Sequence, residues 1–281
     1  MKIHNLALAV GAAVALAAGT AAAGDWSKIR IATEGAYAPW NFTDSSGKLV
    51  GFELDLAKDL CERMGSECEV VAQAWEGIIP ALQAGKYDTI IAGMSITEKR
   101  MKVISFTECY AATPATFVVT KDSPSAGFKT GLDAINLAEV SADEKTAIDA
   151  IKQEFKGKTI GVQVATTHLN FLNEYLAGDV EIRSYDTQEN LDLDLDAGRV
   201  DAALAAMSYW KPLLESNKGK NMVVVGPGLT GGPFGAGVGV GIRQDDKDLV
   251  AKFDKAIAAA KADGTISKLA VQWFGFDASC K

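Results

Sequence analysis

Short apolar runs alternate along the chain with stretches whose apolar positions recur every three or four residues. Ile29-Arg30-Ile31-Ala32-Thr33 predicts a first strand, Glu53 to Met64 a helix, and Glu69-Val70-Val71 a second strand. Glu76 to Ala84 predicts a further helix, and Thr89-Ile90-Ile91-Ala92 a buried parallel strand. A like series starts at Lys158-Thr159-Ile160-Gly161-Val162, with a helix from Thr167 to Leu176, a strand Glu181-Ile182-Arg183, a helix from Gln188 to Gly198 and a strand from Asp201 to Leu204. Strands alternating with helices predict an α/β fold, and two like series predict two lobes. Ser123 to Glu154, rich in Pro, Gly, Ser and small or charged residues, predicts a peripheral insertion: a loop, then an exposed helix around Ala142 to Phe155.

The first residues break this pattern. Lys2, the apolar run Leu6 to Ala18, and Ala21-Ala22-Ala23 before Gly24 have the three parts of a secretory signal peptide, so residues 1–23 are expected to be removed on export. The run is shorter than the roughly 20 apolar residues a spanning helix needs. No cysteine lies near the cleavage site, so a lipid anchor is not expected, and a soluble exported product is.

About 257 residues then remain, enough for two domains of about 100–150 residues. The net charge of −8 becomes −9 once Lys2 leaves, and an acidic chain with no basic stripe excludes a nucleic-acid binder. Four cysteines in an exported chain point to disulfides rather than a metal, since C-x-x-C pairs are lacking and His4 leaves with the leader. Cys61 and Cys68 flank Gly65, which reads as the end of the helix Glu53 to Met64, and a bridge there would clamp that end by about 2–3 kcal/mol. Cys109 and Cys280 form a second pair, or Cys280 is a free thiol in the tail.

The densest candidate chemistry is Gly93-Met94-Ser95-Ile96-Thr97-Glu98-Lys99-Arg100, where a strand end feeds the start of a helix expected over Thr97 to Ile104. Free N–H groups, a helix dipole and the planar fork of Arg100 together suit a carboxylate. The plainer alternative is an N-cap at Thr97 with Arg100 in surface pairs. The second series offers Gln163-Val164-Ala165-Thr166-Thr167-His168, again small residues and hydroxyls at a helix start. Ligands gather at the carboxyl ends of strands in open parallel sheets, so two such loops facing a cleft would enclose a small molecule.

Thr33-Glu34-Gly35-Ala36-Tyr37-Ala38-Pro39-Trp40, Gly51-Phe52-Glu53-Leu54-Asp55-Leu56-Ala57, Gly93 to Arg100 and Gly264-Thr265-Ile266-Ser267-Lys268-Leu269, in that order, resemble the periplasmic polar amino-acid-binding proteins of ABC importers. The likeness spans the mature chain and is nearest to the lysine/arginine/ornithine- and histidine-binding group, including its Cys61 and Cys68 pair, and within it to an opine-binding branch. It implies a two-lobed, type II-like periplasmic binding protein, each lobe a sheet flanked by helices, that closes about a two-strand hinge. Lobe 1 is expected over 24–113 plus 238–281, lobe 2 over 117–233, and the crossings near Ala112 to Thr116 and Phe234 to Gly239, where Gly235, Gly237 and Gly239 absorb rotation. It further implies a monomer that hands its ligand to an ABC importer permease and uses no cofactor or metal.

By the same resemblance Arg100 would hold the ligand α-carboxylate with Ser95 and Thr167, beside Gly93, Met94, Thr97 and Ala165. Tyr37 and Trp75 would sandwich the ligand side chain, where a cation between aromatic faces gains about 0.5–2 kcal/mol, and Glu34 would reach its distal polar group. Both aromatics are alternatively core residues. Relatives that hold free amino acids keep an acid for the α-ammonium where this chain has Ala203-Leu204-Ala205-Ala206-Met207-Ser208. An unpaired buried ammonium is costly, so a ligand with a substituted α-nitrogen, such as an opine, fits better, with Ser208 and His168 facing its second carboxylate. Free basic amino acids are the alternative ligands. A dehydratase-like enzyme on the same scaffold is the competing class, but neither Ser-His-Asp spacing nor a G-x-S-x-G elbow is present.

Overall fold

The computed structural model describes residues 24–281, so the leader expected over 1–23 lies outside the described residues. β1 (Lys28–Thr33) leads into β2 (Ala36–Tyr37), β3 (Asn41–Thr43) and β4 (Leu49–Val50), which form a small antiparallel sheet. α1 (Phe52–Met64), β5 (Glu67–Ala72), α2 (Ile78–Gln83), β6 (Thr89–Ile90), α3 (Glu98–Met101) and β7 (Ser105–Phe106) follow. The chain then enters a second unit through β8 (Ala115–Thr120), β9 (Ala134–Asn136), α4 (Ala142–Phe155), β10 (Thr159–Gln163), α5 (Thr167–Phe171) and β11 (Glu181–Tyr185). α6 (Gln188–Asp196), β12 (Ala202–Ala206), α7 (Met207–Leu214) and β13 (Met222–Thr230) complete that unit. β14 (Gly241–Ile242), α8 (Lys247–Ala262) and α9 (Thr265–Phe274) return to the first.

Besides the small sheet, two larger ones result, ordered β5-β1-β6-β14-β7 and β11-β10-β12-β8-β13-β9. In each, one strand lies between two parallel neighbours: β1 between β5 and β6, β10 between β11 and β12. The strands at which the chain changes sheets, β14 and β8, pair antiparallel, so both sheets are mixed. The fold is α/β and two-lobed, with separate cores. Phe52, Leu56 and Leu60 of α1 recur at four-residue spacing and meet Phe253 and Ile257 of α8 and Phe274 of α9 in the first. Phe117, Ile160, Leu204 and Phe171 fill the second.

Local chemistry explains the element ends. α1 stops at Gly65, whose φ of 63° lets its N–H and that of Ser66 close onto carbonyls of the last turn. Cys61 is bridged to Cys68 across this turn, and Cys109 is bridged to Cys280, so the tail cysteine is not free. Ser141 and Glu144 form a reciprocal capping box that starts α4.

Three expectations are corrected. The helix over Thr97 to Ile104 is one turn, Glu98–Met101: past it the N–H groups of Val103 and Ile104 both close onto the Arg100 carbonyl, and the chain turns to bury Ile104. The 123–154 insertion is not peripheral: α4 buries Ala147, Ile148, Ile151 and Phe155, and β9 extends the second sheet. The expected helix to Leu176 ends α5 at Phe171 and continues as a wider π turn over Leu172–Leu176.

The crossings are irregular. Between Phe106 and Ala115, and between Thr230 and Gly241, the described residues form isolated bridges rather than ladders: Ala111 with Val238 and with Ser279, and Ser95 with Val238. Gly237 has φ +92°, and a Cβ there would lie 2.3 Å from the Cys109 sulfur, so a larger residue cannot pass this crossing without displacing the bridge.

Candidate ligand-binding site

The parallel strands of both sheets end at one cavity of about 320 Å³. Glu34 follows the last residue of β1, Gly93 follows β6, Gln163 ends β10 and Ala206 ends β12; all four line it. Among the expected site residues, Glu34, Tyr37, Trp75, Gly93, Ser95, Arg100, Thr167 and His168 are brought together around this space.

Arg100 occupies the anion-seeking end. One guanidinium nitrogen donates to the Ser95 carbonyl at 3.0 Å, and the other crosses to the Ala165 carbonyl of the second unit at 3.2 Å. Its guanidinium carbon lies 5.3 Å from the Trp75 ring centre. Burial lowers its pKa to about 10, which still leaves it cationic at neutral pH. No ion pair among the described residues includes Arg100. A half-buried guanidinium held by two carbonyls keeps an uncompensated positive charge, which can pair with an anion. His168 shares this end of the cavity; burial first, and then the charge of Arg100, push its pKa down to about 4, so it is neutral at pH 7.

Glu34 is the one carboxylate among the lining residues. Its Oε1 accepts from Gln163 Nε2 at 2.6 Å, and burial raises its pKa to about 7, against that hydrogen bond. Tyr37 stacks on Tyr209 with ring centres 4.8 Å apart and planes 19° apart, so the two units meet ring to ring beside the cavity. Tyr209 donates to Asp192, which also accepts from Gln188 Nε2 at 3.1 Å. Trp75 is largely buried and Tyr37 half-buried, so each is both core and cavity wall.

Four expected residues are placed elsewhere. Met94 is fully buried with Ile90 and Ile104. Thr97 caps α3, its hydroxyl accepting from the Arg100 N–H at 3.3 Å. Ala165 supplies a carbonyl to Arg100 from a left-handed backbone, φ 57°. Ser208 is corrected from a cavity contact to a buried link: its hydroxyl accepts from Trp40 Nε1 at 3.0 Å and pairs with Thr113 at 2.9 Å. Gln163, Gln188, Trp40 and Phe234 line the cavity without having been singled out for it. Gln163 stood within a quoted motif, while Gln188 opens a helix with no local sign of its role.

Residues 29–276 match the bacterial extracellular solute-binding proteins, family 3. The chain belongs to that family. An octopine-binding periplasmic protein of Rhizobium meliloti is 43% identical over 95% of this chain and 96% of its own. A histidine-binding periplasmic protein of Salmonella typhimurium is 37% identical over 98% of each. Among solved structures, a periplasmic His/Glu/Gln/Arg/opine family-binding protein from Silicibacter pomeroyi in complex with lysine superposes with a TM-score of 0.72 at 35% identity, covering 90% of this chain and 100% of that one. This member of the family is therefore a periplasmic solute-binding protein; the family and these relatives are binders rather than enzymes. No helix among the described residues is long and apolar enough to cross a membrane.

Proposed function

We propose that this protein captures an arginine-derived opine, such as octopine or nopaline, in the cavity between its lobes and delivers it to an ABC importer permease as a monomer. The reading rests on the charge inventory of the cavity: one unpaired guanidinium, Arg100, and one carboxylate, Glu34. A free basic amino acid carries two cationic groups and one carboxylate, which leaves one ammonium without an acid partner. An opine brings a second carboxylate that neutralises its own secondary ammonium, and Arg100 with neutral His168 suits the paired carboxylates. Its guanidinium would displace Gln163 from Glu34 and lie along Tyr37 and Trp75. The octopine-binding relative at 43% identity supports this choice.

Lobe 1 is assigned to 24–113 plus 238–281 and lobe 2 to 117–233, turning on the crossings near 112–116 and 234–239. A second reading, free lysine or arginine, is favoured by the relative solved with lysine. Native mass spectrometry of the purified protein, followed by calorimetric titration with octopine, nopaline, arginine, lysine and histidine, separates the two. Tight binding of arginine with no gain from conjugation would remove the opine reading, and turnover of any of them would remove the carrier reading.

A further inference from the structure

Tyr110, Ala111 and Ala112 lie between two chains where the first crossing leaves the first unit. On one edge the Tyr110 N–H donates to the Val238 carbonyl at 2.8 Å, and the Val238 N–H returns to the Ala111 carbonyl at 2.7 Å. On the other edge the Ala112 N–H donates to the Ala278 carbonyl at 2.8 Å, and the Cys280 N–H to the Tyr110 carbonyl at 3.2 Å. Ala111 is bridged antiparallel to both Val238 and Ser279, as in a central strand. The outer chain is the segment that follows α9. Three features hold it there: Gly275, whose φ of 77° ends that helix, Ala278, buried in the first core, and the bridge from Cys280 to Cys109. The Cys109 sulfur also abuts Gly237 of the second crossing.

This third strand decides which bonds can turn. Ala112 is held to the first unit through Ala278, and the Pro114 carbonyl is held to the second by the Met207 N–H at 2.8 Å. Between them Thr113 makes no backbone–backbone hydrogen bond among the described residues, and the ring of Pro114 fixes its own φ. The second crossing is fastened in a like way. The Phe234 ring stacks on Phe171 of the second unit with centres 5.4 Å apart, while the Ala236 N–H donates to the Ile96 carbonyl of the first at 3.0 Å. Gly235 joins the two at φ +77°, where no Cβ fits beside that carbonyl. Each crossing thus passes from the fastenings of one unit to those of the other over one step, Thr113 in the first and Gly235 in the second. Both residues line the ligand cavity.

We propose that the Cys109–Cys280 bridge is a positioning element for ligand capture: it staples residues 276–280 to the first crossing as a third hinge strand and confines the swing of the two units to Thr113 and Gly235. With the bridge gone the segment lifts more readily, and Tyr110 to Ala112 are left bonded on one edge. The open ensemble then gains conformations that the ligand-bound form lacks, and binding starts from a smaller competent fraction. This rests on the closure about two crossings proposed above.

The test compares the double variant Cys109→Ser/Cys280→Ser with Cys61→Ser/Cys68→Ser, which removes the other bridge, at the end of α1. In the first variant without ligand, we expect the Ala112 and Cys280 amides to exchange at least about tenfold faster by NMR, and the radius of gyration to exceed that of the wild type. Its affinity for octopine or arginine should fall at least about threefold. The second variant is expected to lower Tm yet keep all three readouts at their wild-type values. Equal changes in both variants, or none in the first, would overturn the assignment and leave the bridge a general stabiliser. Wild-type exchange covers the case in which a variant does not fold: the Ala112 amide should stay protected with and without octopine while that of Thr113 exchanges freely, and an Ala112 amide as open as that of Thr113 overturns the assignment. If no ligand that binds the wild type changes its radius, the closure reading and this inference fall together. Closure in the wild type with an unaltered first variant removes only this inference, and if neither octopine nor arginine binds, the ligand-free exchange and radius still decide it.

Discussion

Gln163 Nε2 donates to Glu34 Oε1 at 2.6 Å, so an amide at the end of β10 in the second sheet meets the carboxylate that follows β1 in the first. Gln163 also donates to the Asp186 carbonyl at 3.1 Å, so it need not be left unpaired when a ligand takes Glu34. On the function proposed above, a cationic ligand group would replace this neutral donor.

Glu34 sets the first prediction. Burial raises its pKa from 4.5 to about 7, and a guanidinium requires the ionised form. The folded, ligand-free protein then binds more protons than the unfolded chain between about 4.5 and 7, so this group's contribution to stability falls as pH rises through that window. Ligand affinity runs the other way, about tenfold weaker at pH 6 than at pH 8 for a guanidinium ligand. Glu34→Gln should weaken guanidinium ligands and flatten the profile. Calorimetry across that range checks both, and a flat wild-type profile would place the titrating group elsewhere.

Arg100→Ala should abolish binding and leave the fold intact. The side chain pairs only with two carbonyls, so its loss strands no buried acid, while a desolvated charge-assisted pair to the ligand is worth about 2–5 kcal/mol. The dissociation constant should rise at least about 30-fold with an unchanged circular dichroism spectrum. Near-wild-type affinity would show that the ligand carboxylate is held by other groups.

Closure is the third expectation. A ligand touching Arg100 and Glu34 on one unit and Thr167 and Gln163 on the other binds the closed form alone, so saturation should reduce the radius of gyration in small-angle scattering. Ligand at about 100 times its dissociation constant should add about 2.7 kcal/mol to stability, read as a higher Tm. An unchanged radius at saturation would leave the hinge without a function.

The sequence carried the strands and helices that periodicity marks, and it carried the cavity residues that sit on strand ends. The strand runs Ile29 to Thr33 and Lys158 to Val162 lie within one residue of β1 and β10, and the helix expected over Ala142 to Phe155 forms as α4. What it did not carry is whatever depends on the partner across a distance. The apolar face of α4 looks alone in sequence and is filled only once β8 and β10 lie beneath it. Ser208 has the chemistry of a ligand contact, but Trp40, 168 positions away, takes its hydroxyl. Gln188 reads as an ordinary helix start, and its place beside the cavity depends on Asp192, one turn later, and on Tyr209 of α7.

Ala206 carries the last prediction, because it does two jobs poorly. It ends β12 at the cavity wall and stands as the N-cap of α7 with no side-chain bond to the helix. Ala206→Asp would supply a cap worth about 0.5–2 kcal/mol and so raise Tm in the absence of ligand. The same carboxylate would pair a free α-ammonium and repel the second carboxylate of an opine. We expect the wild type to prefer octopine or nopaline over free arginine, lysine and histidine by at least about tenfold, or 1.4 kcal/mol, and the variant to narrow that gap from both sides. The two effects are separable, since the cap acts without ligand and the specificity change only with it. A variant that is stabilised but keeps the wild-type ranking would show that the ligand nitrogen lies away from Ala206, and an unmodified protein that binds arginine as tightly as octopine would remove the missing acid as the source of selectivity.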